Sequence, residues 1–262
     1  MQKQGRFHLL AYYFNQVVSA DSILAAVSDP VYAIQSSQFQ IPEDMKMIAA
    51  YAGGLTMTRA RVVTPSLRLR GIPQIYPFHQ LLLPPTDPNI MDMREWPLRI
   101  YKEENLEVDV TQITGTAHDY AGIWIAKPDW NGNLDGREAR WVRFTATVVP
   151  ALGAWSPLAQ ITLQDTLEGG SYCVWGMDAF EATTVFARLV FQNQYMRPGC
   201  LGNATLGLRS AEMFRGGMGL WGEFNTYSLP QIEVLADTAG SVTLDGKLLV
   251  TKSDGFEPPY RG

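Results

Sequence analysis

Hydrophobic and polar positions alternate most regularly in WVRFTATVV, where Val142, Phe144, Ala146 and Val148 interleave with Arg143, Thr145 and Thr147. A period of two sends successive side chains to opposite faces, so this stretch is predicted to be a half-buried strand. The same period recurs in SLRLR, with Leu67 and Leu69 against Arg68 and Arg70, and in PLRIY around Ile100. It recurs again in LEVDVT, with Val108 and Val110 against Glu107 and Asp109. Turn-forming runs separate these segments: LLLPPTDPN at 81–89, YMRPG at 195–199, FRGGMG at 214–219 and DTAG at 237–240. Short strands between such breakers predict a β-sandwich or barrel. DAFEATTVFARLVF, residues 178–191, reads differently. Asp178 and Glu181 form a capping pair, Phe180, Thr184, Ala187 and Phe191 share one helical face, and a helix is predicted.

Similar segments follow one another in the same order in each half. QFQIPED at 38–44 resembles QITLQDT at 160–166, and AYAGGLTMTRARVV resembles CVWGMDAFEATTVFARLVF. PLRI at 97–100 resembles PQIEV from 230, and IWIAKPD at 123–129 resembles LLVTKSD at 248–254. The common order of strands, helix, Pro/Gly-rich stretch and closing strands argues for an internal duplication.

The seam of that duplication falls in KPDWNGNLDG, residues 127–136, which spaces Asp129, Asn131, Asn133 and Asp135 two apart as a calcium loop would. An EF-hand loop starting at Asp129 needs glycine at its sixth position and an acid at its twelfth. Leu134 and Arg140 stand there. The stretch therefore reads as a linker whose Asn, Asp and Gly residues suit tight turns, with a less regular ion site on Asp129, Asn131 and Asp135 as the alternative.

Composition narrows the function. The chain has 262 residues, 46% of them hydrophobic and 18% charged, which suits a globular protein with one large or two smaller domains. A net charge of −5 disfavours a phosphate-neutralising surface, so no specific nucleic-acid contact is expected. The N-terminal apolar stretch is short and broken by Asn15 and Gln16, and it reads as neither signal peptide nor membrane span. Cys173 and Cys200 are too few for a disulfide framework and are expected to be buried thiols.

Candidate chemistry is sparse. GMGLWG at 217–222 matches G-x-G-x-x-G, but Pro230 and the strand-like residues after it do not supply the helix that a dinucleotide site needs. His8, His79 and His118 form no metal-ligand spacing, and His118 beside Asp119 is not the histidine cluster of a bicupin, a metal enzyme also built from duplicated barrels. Ser171 follows Gly169 and Gly170 without a nucleophile motif. Asp165, Glu168 and Glu223 could supply a carboxylate pair for glycoside hydrolysis, although nothing in the pattern selects them. Trp96, Trp124, Trp141, Trp175 and Trp221 lie in apparent strands and are expected in the core. No catalytic, cofactor-binding or metal residue is assigned, and no enzyme activity is expected.

The duplication, the repeated strand-then-helix unit and the run FQNQYMRPGCLG resemble a double jelly-roll major capsid protein, the shell protein of tailless icosahedral viruses and phages, many with an internal membrane. That resemblance implies an all-β fold of two tandem jelly-roll β-sandwiches, each with a short helix in one loop. Residues 1–130 would form the first, 131–137 the linker and 138–262 the second. It further implies a homotrimer that forms a pseudo-hexagonal capsomer, packs beside neighbouring capsomers and minor capsid or vertex proteins, and overlies a membrane in some cases. Assembly would take place in the host cytoplasm, and the mature location would be the virion capsid. Residues 72–96 would be an exterior or inter-subunit loop, and the polar ends MQKQGR and DGFEPPYRG arms that order against neighbours. The rival reading is a carbohydrate-active enzyme or glycan-binding protein on a two-sandwich scaffold.

Overall fold

The computed structural model describes residues 4–17, 21–54, 57–69, 90–112, 116–132, 138–202 and 213–253. The protein is all-β, with antiparallel sheets throughout. In chain order, the first half contains β1 (Phe7–Val17), β2 (Asp21–Ile23), β3 (Ala25–Ala26), β4 (Ile34–Gln35), β5 (Gln38–Gln40), β6 (Met45–Gly53) and β7 (Met57–Val63). A short helix α1 (Pro65–Leu69) follows, then β8 (Met91–Asp92), β9 (Leu98–Ile100), β10 (Asn105–Gln112) and β11 (Thr116–Ala126). The second half contains β12 (Arg140–Val148), β13 (Ala159–Gln160), β14 (Thr162–Leu163), β15 (Ser171–Phe180) and β16 (Thr184–Val190). It closes with β17 (Gly199–Leu201), β18 (Gly222–Asn225), β19 (Gln231–Ala236) and β20 (Val242–Lys252).

Among the described residues each half supplies two sheets. Sheet I runs β3-β1-β11-β6-β8, with β9 also on β6, and sheet III runs β14-β12-β20-β15-β18. In both, the first long strand of the half pairs with the last, and the last pairs with the long strand from the middle. Sheet II places β10 between β2 and β7, with β5 and β4 extending it, and sheet IV runs β13-β19-β16-β17. The next-to-last long strand is thus central in both, and the strand after the mid-half corner lies beside it. β6 and β7, like β15 and β16, are consecutive strands that leave one sheet and join the other.

Burial explains which strands alternate. β12 alternates as its sequence does, with Val142, Phe144, Ala146 and Val148 buried and Arg143 and Thr147 exposed, because one face of sheet III meets water. β6 is buried along nearly its whole length, as are β16 and β17. Sheet I is covered by sheet II on one face, where Tyr12 meets Phe39 and donates to the Leu106 carbonyl at 2.7 Å. Its other face meets sheet IV: Trp124 donates from Nε1 to the Gly199 carbonyl at 2.8 Å and lies edge-on to Phe186. Strands covered on both faces read as continuous apolar runs rather than as alternating ones. One hydrophobic core consequently runs through both halves.

Three expectations are corrected. Ser66–Leu69 of SLRLR are not a strand but lie in α1, Arg70 lying outside the described residues, because Pro65 occupies the first helical position, where its missing N–H costs nothing. Thr64 accepts from the Leu67 N–H through Oγ1 at 3.3 Å, and Glu104 accepts from the Ser66 N–H at 2.7 Å. DAFEATTVFARLVF is not a helix but the end of β15, a turn and β16. The Glu181 carboxylate closes that turn by accepting from the Thr183 N–H at 2.9 Å and the Thr184 hydroxyl at 3.0 Å, and β-branched Thr183, Thr184 and Val185 suit the extended chain that follows. The second half therefore has no helix where one was expected. Met213 and Phe214 have helical backbone at the edge of the described residues. Finally, PLRI and PQIEV are not counterparts, since β9 lies at the edge of sheet I and β19 lies inside sheet IV.

Gly122 of β11 shows how closely sheets I and IV approach. A Cβ there would sit 2.6 Å from Phe186 Cε1 and 2.8 Å from its Cζ. Phe186 cannot easily retreat, being held edge-on by Tyr51 and Trp124. Gly122→Ala is expected to cost about 1–3 kcal/mol through overpacking, read as a lower urea midpoint at unchanged slope.

Candidate functional site

The most elaborate polar arrangement lies where sheets I and IV meet. Arg188 on β16 and Glu233 on β19 are directly paired across strands, and their side chains form an ion pair. That pair sits on the face of sheet IV turned toward the first half. Arg188 Nη1 also donates to Asp29 Oδ2 at 2.5 Å and to the Leu9 carbonyl at 3.2 Å. The Trp155 ring lies 3.9 Å from the guanidinium carbon. Arg197 reaches Glu233 from the other side at 2.6 Å. His8 on β1 completes the group with Nε2 3.0 Å from Asp29 Oδ2. Two residues of the first half and three of the second thus form one cluster, with every side chain buried except that of Arg197, which is partly exposed.

The backbone fixes the protonation of His8. The Arg197 N–H donates to His8 Nδ1 at 3.0 Å, so Nδ1 carries no proton and Nε2–H donates to Asp29. Burial is the main force lowering the His8 pKa, with Arg188 and Arg197 adding to it against the pull of Asp29. Burial alone would raise Asp29, but its hydrogen bond from His8 and the charge of Arg188 hold it well below the usual carboxylate range. With imidazole neutral, two guanidinium groups face two carboxylates and the cluster carries no net charge. Such an arrangement supplies register more than net stability, because desolvation offsets much of the attraction.

Further contacts follow the same boundary. Phe7 packs edge-on against Trp221 at 5.4 Å, Tyr32 donates to Met196 Sδ at 3.7 Å, and Gly5 N–H donates to Gln194 Oε1 at 2.9 Å. Gln4 bridges to Gly222, so the described part of the N-terminal stretch is docked on the second half rather than projecting as an arm. Residues 254–262, the other expected arm, lie outside the described residues, as do 72–89 of the expected exterior loop.

The residues weighed for chemistry are scattered. Asp129 is exposed and pairs with Arg6 at 3.4 Å, Asn131 is exposed, and Asn133 and Asp135 lie outside the described residues. Among the described residues no group of three His, Cys, Asp or Glu is placed to hold a metal ion. Asp119 is buried next to Gly54, and burial pushes its carboxyl up from 3.8 to about 7. Asp165 is bound to Arg143 at 2.8 Å, Glu168 to Lys252 at 3.1 Å, and Glu223 accepts from the Ser253 hydroxyl at 2.6 Å. Each of these acids thus has a partner of its own. Ser171 begins β15 and accepts from Asn225 Nδ2 at 3.4 Å. Cys173 and Cys200 are buried and not joined in a disulfide. GMGLWG forms the turn into β18, where Gly219 has φ of 73° and Trp130 donates from Nε1 to the Met218 carbonyl at 3.0 Å. Its glycines admit the connecting segment rather than a nucleotide. Trp124, Trp175 and Trp221 are core residues as expected, but Trp96 is 82% exposed and Trp141 38%.

No protein-family model matches the chain, and no curated protein or solved structure matches it significantly.

Two measurements probe this region. Arg188→Met would leave Asp29 held only by His8 and backbone N–H groups and Glu233 only by Arg197, and breaking the buried pair is expected to cost about 3 kcal/mol, seen in denaturant unfolding. The pH profile tests the titrating groups. Folded His8 resists protonation, so its contribution is present above its ordinary 6.5 and is lost as pH falls below it. Asp119 acts oppositely, because the fold favours its protonated form and stability is lost as pH rises from 3.8 through about 7. Asp119→Asn should therefore reduce that loss and leave the part due to Glu107, whose carboxyl burial likewise pushes up to about 7, as thermal melts across the window would record.

Proposed function

We propose that this chain is the major capsid protein of a tailless icosahedral virus or phage, a structural protein without catalytic residues. The observation that carries this reading is the matched strand order of the two sheet pairs. We take each half as a jelly roll, spanning residues 1–130 and 138–262 with 131–137 as the linker. In a jelly roll the first strand neighbours the last, and the next-to-last lies in the opposing sheet, which is the order each half follows. Two similar sandwiches per chain give a trimer six similar wedges, so one polypeptide can tile a near-hexagonal lattice.

Exposed apolar residues suit contact with neighbouring copies. Val149, Leu152 and Leu158 are all exposed on the segment between β12 and β13, and Tyr227 is 92% exposed in the turn after β18. Single exposed hydrophobics are ordinary, but several on one segment favour a protein contact. The partners on this reading are two identical chains, adjoining capsomers and minor capsid or vertex proteins, with assembly in the host cytoplasm and residence in the virion. An internal membrane beneath the shell is compatible with this arrangement. Among the described residues no helix is long and apolar enough to cross a membrane.

A second reading, a glycan-binding protein on the same scaffold, is favoured by one observation, the cleft beside Trp96. Light scattering coupled to size-exclusion chromatography separates the two as primary functions. The capsid reading requires a stable trimer of about three times 29.2 kDa, and a persistent monomer would refute it. Replacing Leu152 and Leu158 together by Asp is expected to yield a folded monomer.

A further inference from the structure

A cleft of about 690 Å³ opens where the two halves and their connecting segment meet. Asp92, Arg94, Glu95 and Trp96 line it from β8 and the turn before β9, Lys46 from β6, and Trp130 from the segment after β11. The second half contributes Gly217, over which the Arg94 guanidinium lies so closely that a Cβ there would overlap it. The indole of Trp96 is 82% exposed at this cleft, a large apolar surface left in water. Trp130 is half-buried, and its bond to the Met218 carbonyl fixes its ring.

The polar groups limit what fits. Arg94 holds Asp92 in a fork, with Nε 2.8 Å from Oδ1 and Nη2 2.5 Å from Oδ2. Lys46 Nζ donates to the Pro128 carbonyl at 2.6 Å. Glu95 is exposed and has no hydrogen bond among the described residues. Two cations and two carboxylates leave no net charge, so neither a phosphate nor a cation gains from entering. Aliphatic side chains are nearly missing from this lining, and an apolar ligand would strip water from charged groups without replacing their hydrogen bonds.

A pyranose ring meets both demands. Its C–H face covers an indole, and its hydroxyls donate to carboxylates and accept from guanidinium and ammonium groups. We propose that this cleft binds a short neutral oligosaccharide, with Trp96 as the stacking platform and Glu95 and the Asp92–Arg94 fork as hydroxyl partners. The volume falls within the range of small-ligand sites and accommodates roughly two or three sugar rings. This assignment rests on the cleft alone and is independent of the shell reading, so a trimer that binds no sugar and a monomer that does are distinguishable outcomes.

The test titrates the full chain with maltotriose, cellotriose and N,N′,N″-triacetylchitotriose, with inorganic phosphate and trigalacturonate as charged controls, using calorimetry and saturation-transfer NMR. At least one neutral trisaccharide should bind with a Kd of about 1 mM or tighter. Trp96→Ala should weaken it about tenfold while the circular dichroism and melting temperature stay unchanged, as befits an exposed side chain. Glu95→Gln should weaken binding less, and it gives the reading should the tryptophan variant fail to fold. Binding of none of the three, equal binding by the Trp96→Ala and Glu95→Gln variants, or preference for phosphate or trigalacturonate would overturn the assignment.

Discussion

Two of the four sheets formed by the described residues are denied water on both faces, and that constraint governs the rest of the molecule. Sheet I and sheet IV bury their opposed surfaces against each other, so every polar group between them must find its partner within the protein. Arg188 is the hardest case, and its solution recruits Asp29 from the first half, Glu233 from its own sheet and the Trp155 ring. Because those partners come from both halves, satisfying one charge fixes how the halves are docked. The hydrophobic contacts around Phe186 supply adhesion without direction, whereas the guanidinium supplies direction.

The same constraint explains what the sequence disclosed and what it concealed. β12 was legible because one of its faces meets solvent, and Val142 and Phe144 declare the buried side by alternating with Arg143 and Thr145. β16 was not, since burial on both faces removes the period of two and leaves TVFARLV, which suits a helix as well as a strand. Asp178 and Glu181 then mimicked a helix cap. Glu181 does cap, but what it caps is a turn between strands, a use of the same acceptor chemistry that spacing alone does not distinguish.

The cluster at the boundary had a signal that went unused. Arg188 is a lone charge inside an apolar run, and His8 stands likewise in FHLLAYYF. Charged residues are rarely buried without partners, so a lone arginine in a core-like strand implies a compensating acid elsewhere, here Asp29 and Glu233. Which acids those are depends on contacts between residues far apart in the chain, and no local pattern encodes that. The cleft beside Trp96 was less legible still: its residues come from four separated segments, and the tryptophan itself reads as core.

The docking of sheet I on sheet IV also bears on how this gene product could be divided. Expressed as two polypeptides, each half would carry an uncovered apolar sheet and half of a charge network, and would be insoluble by itself. Mixed, the fragments hold matching surfaces and complementary ions, the attributes of a split protein that reassembles through fragment complementation.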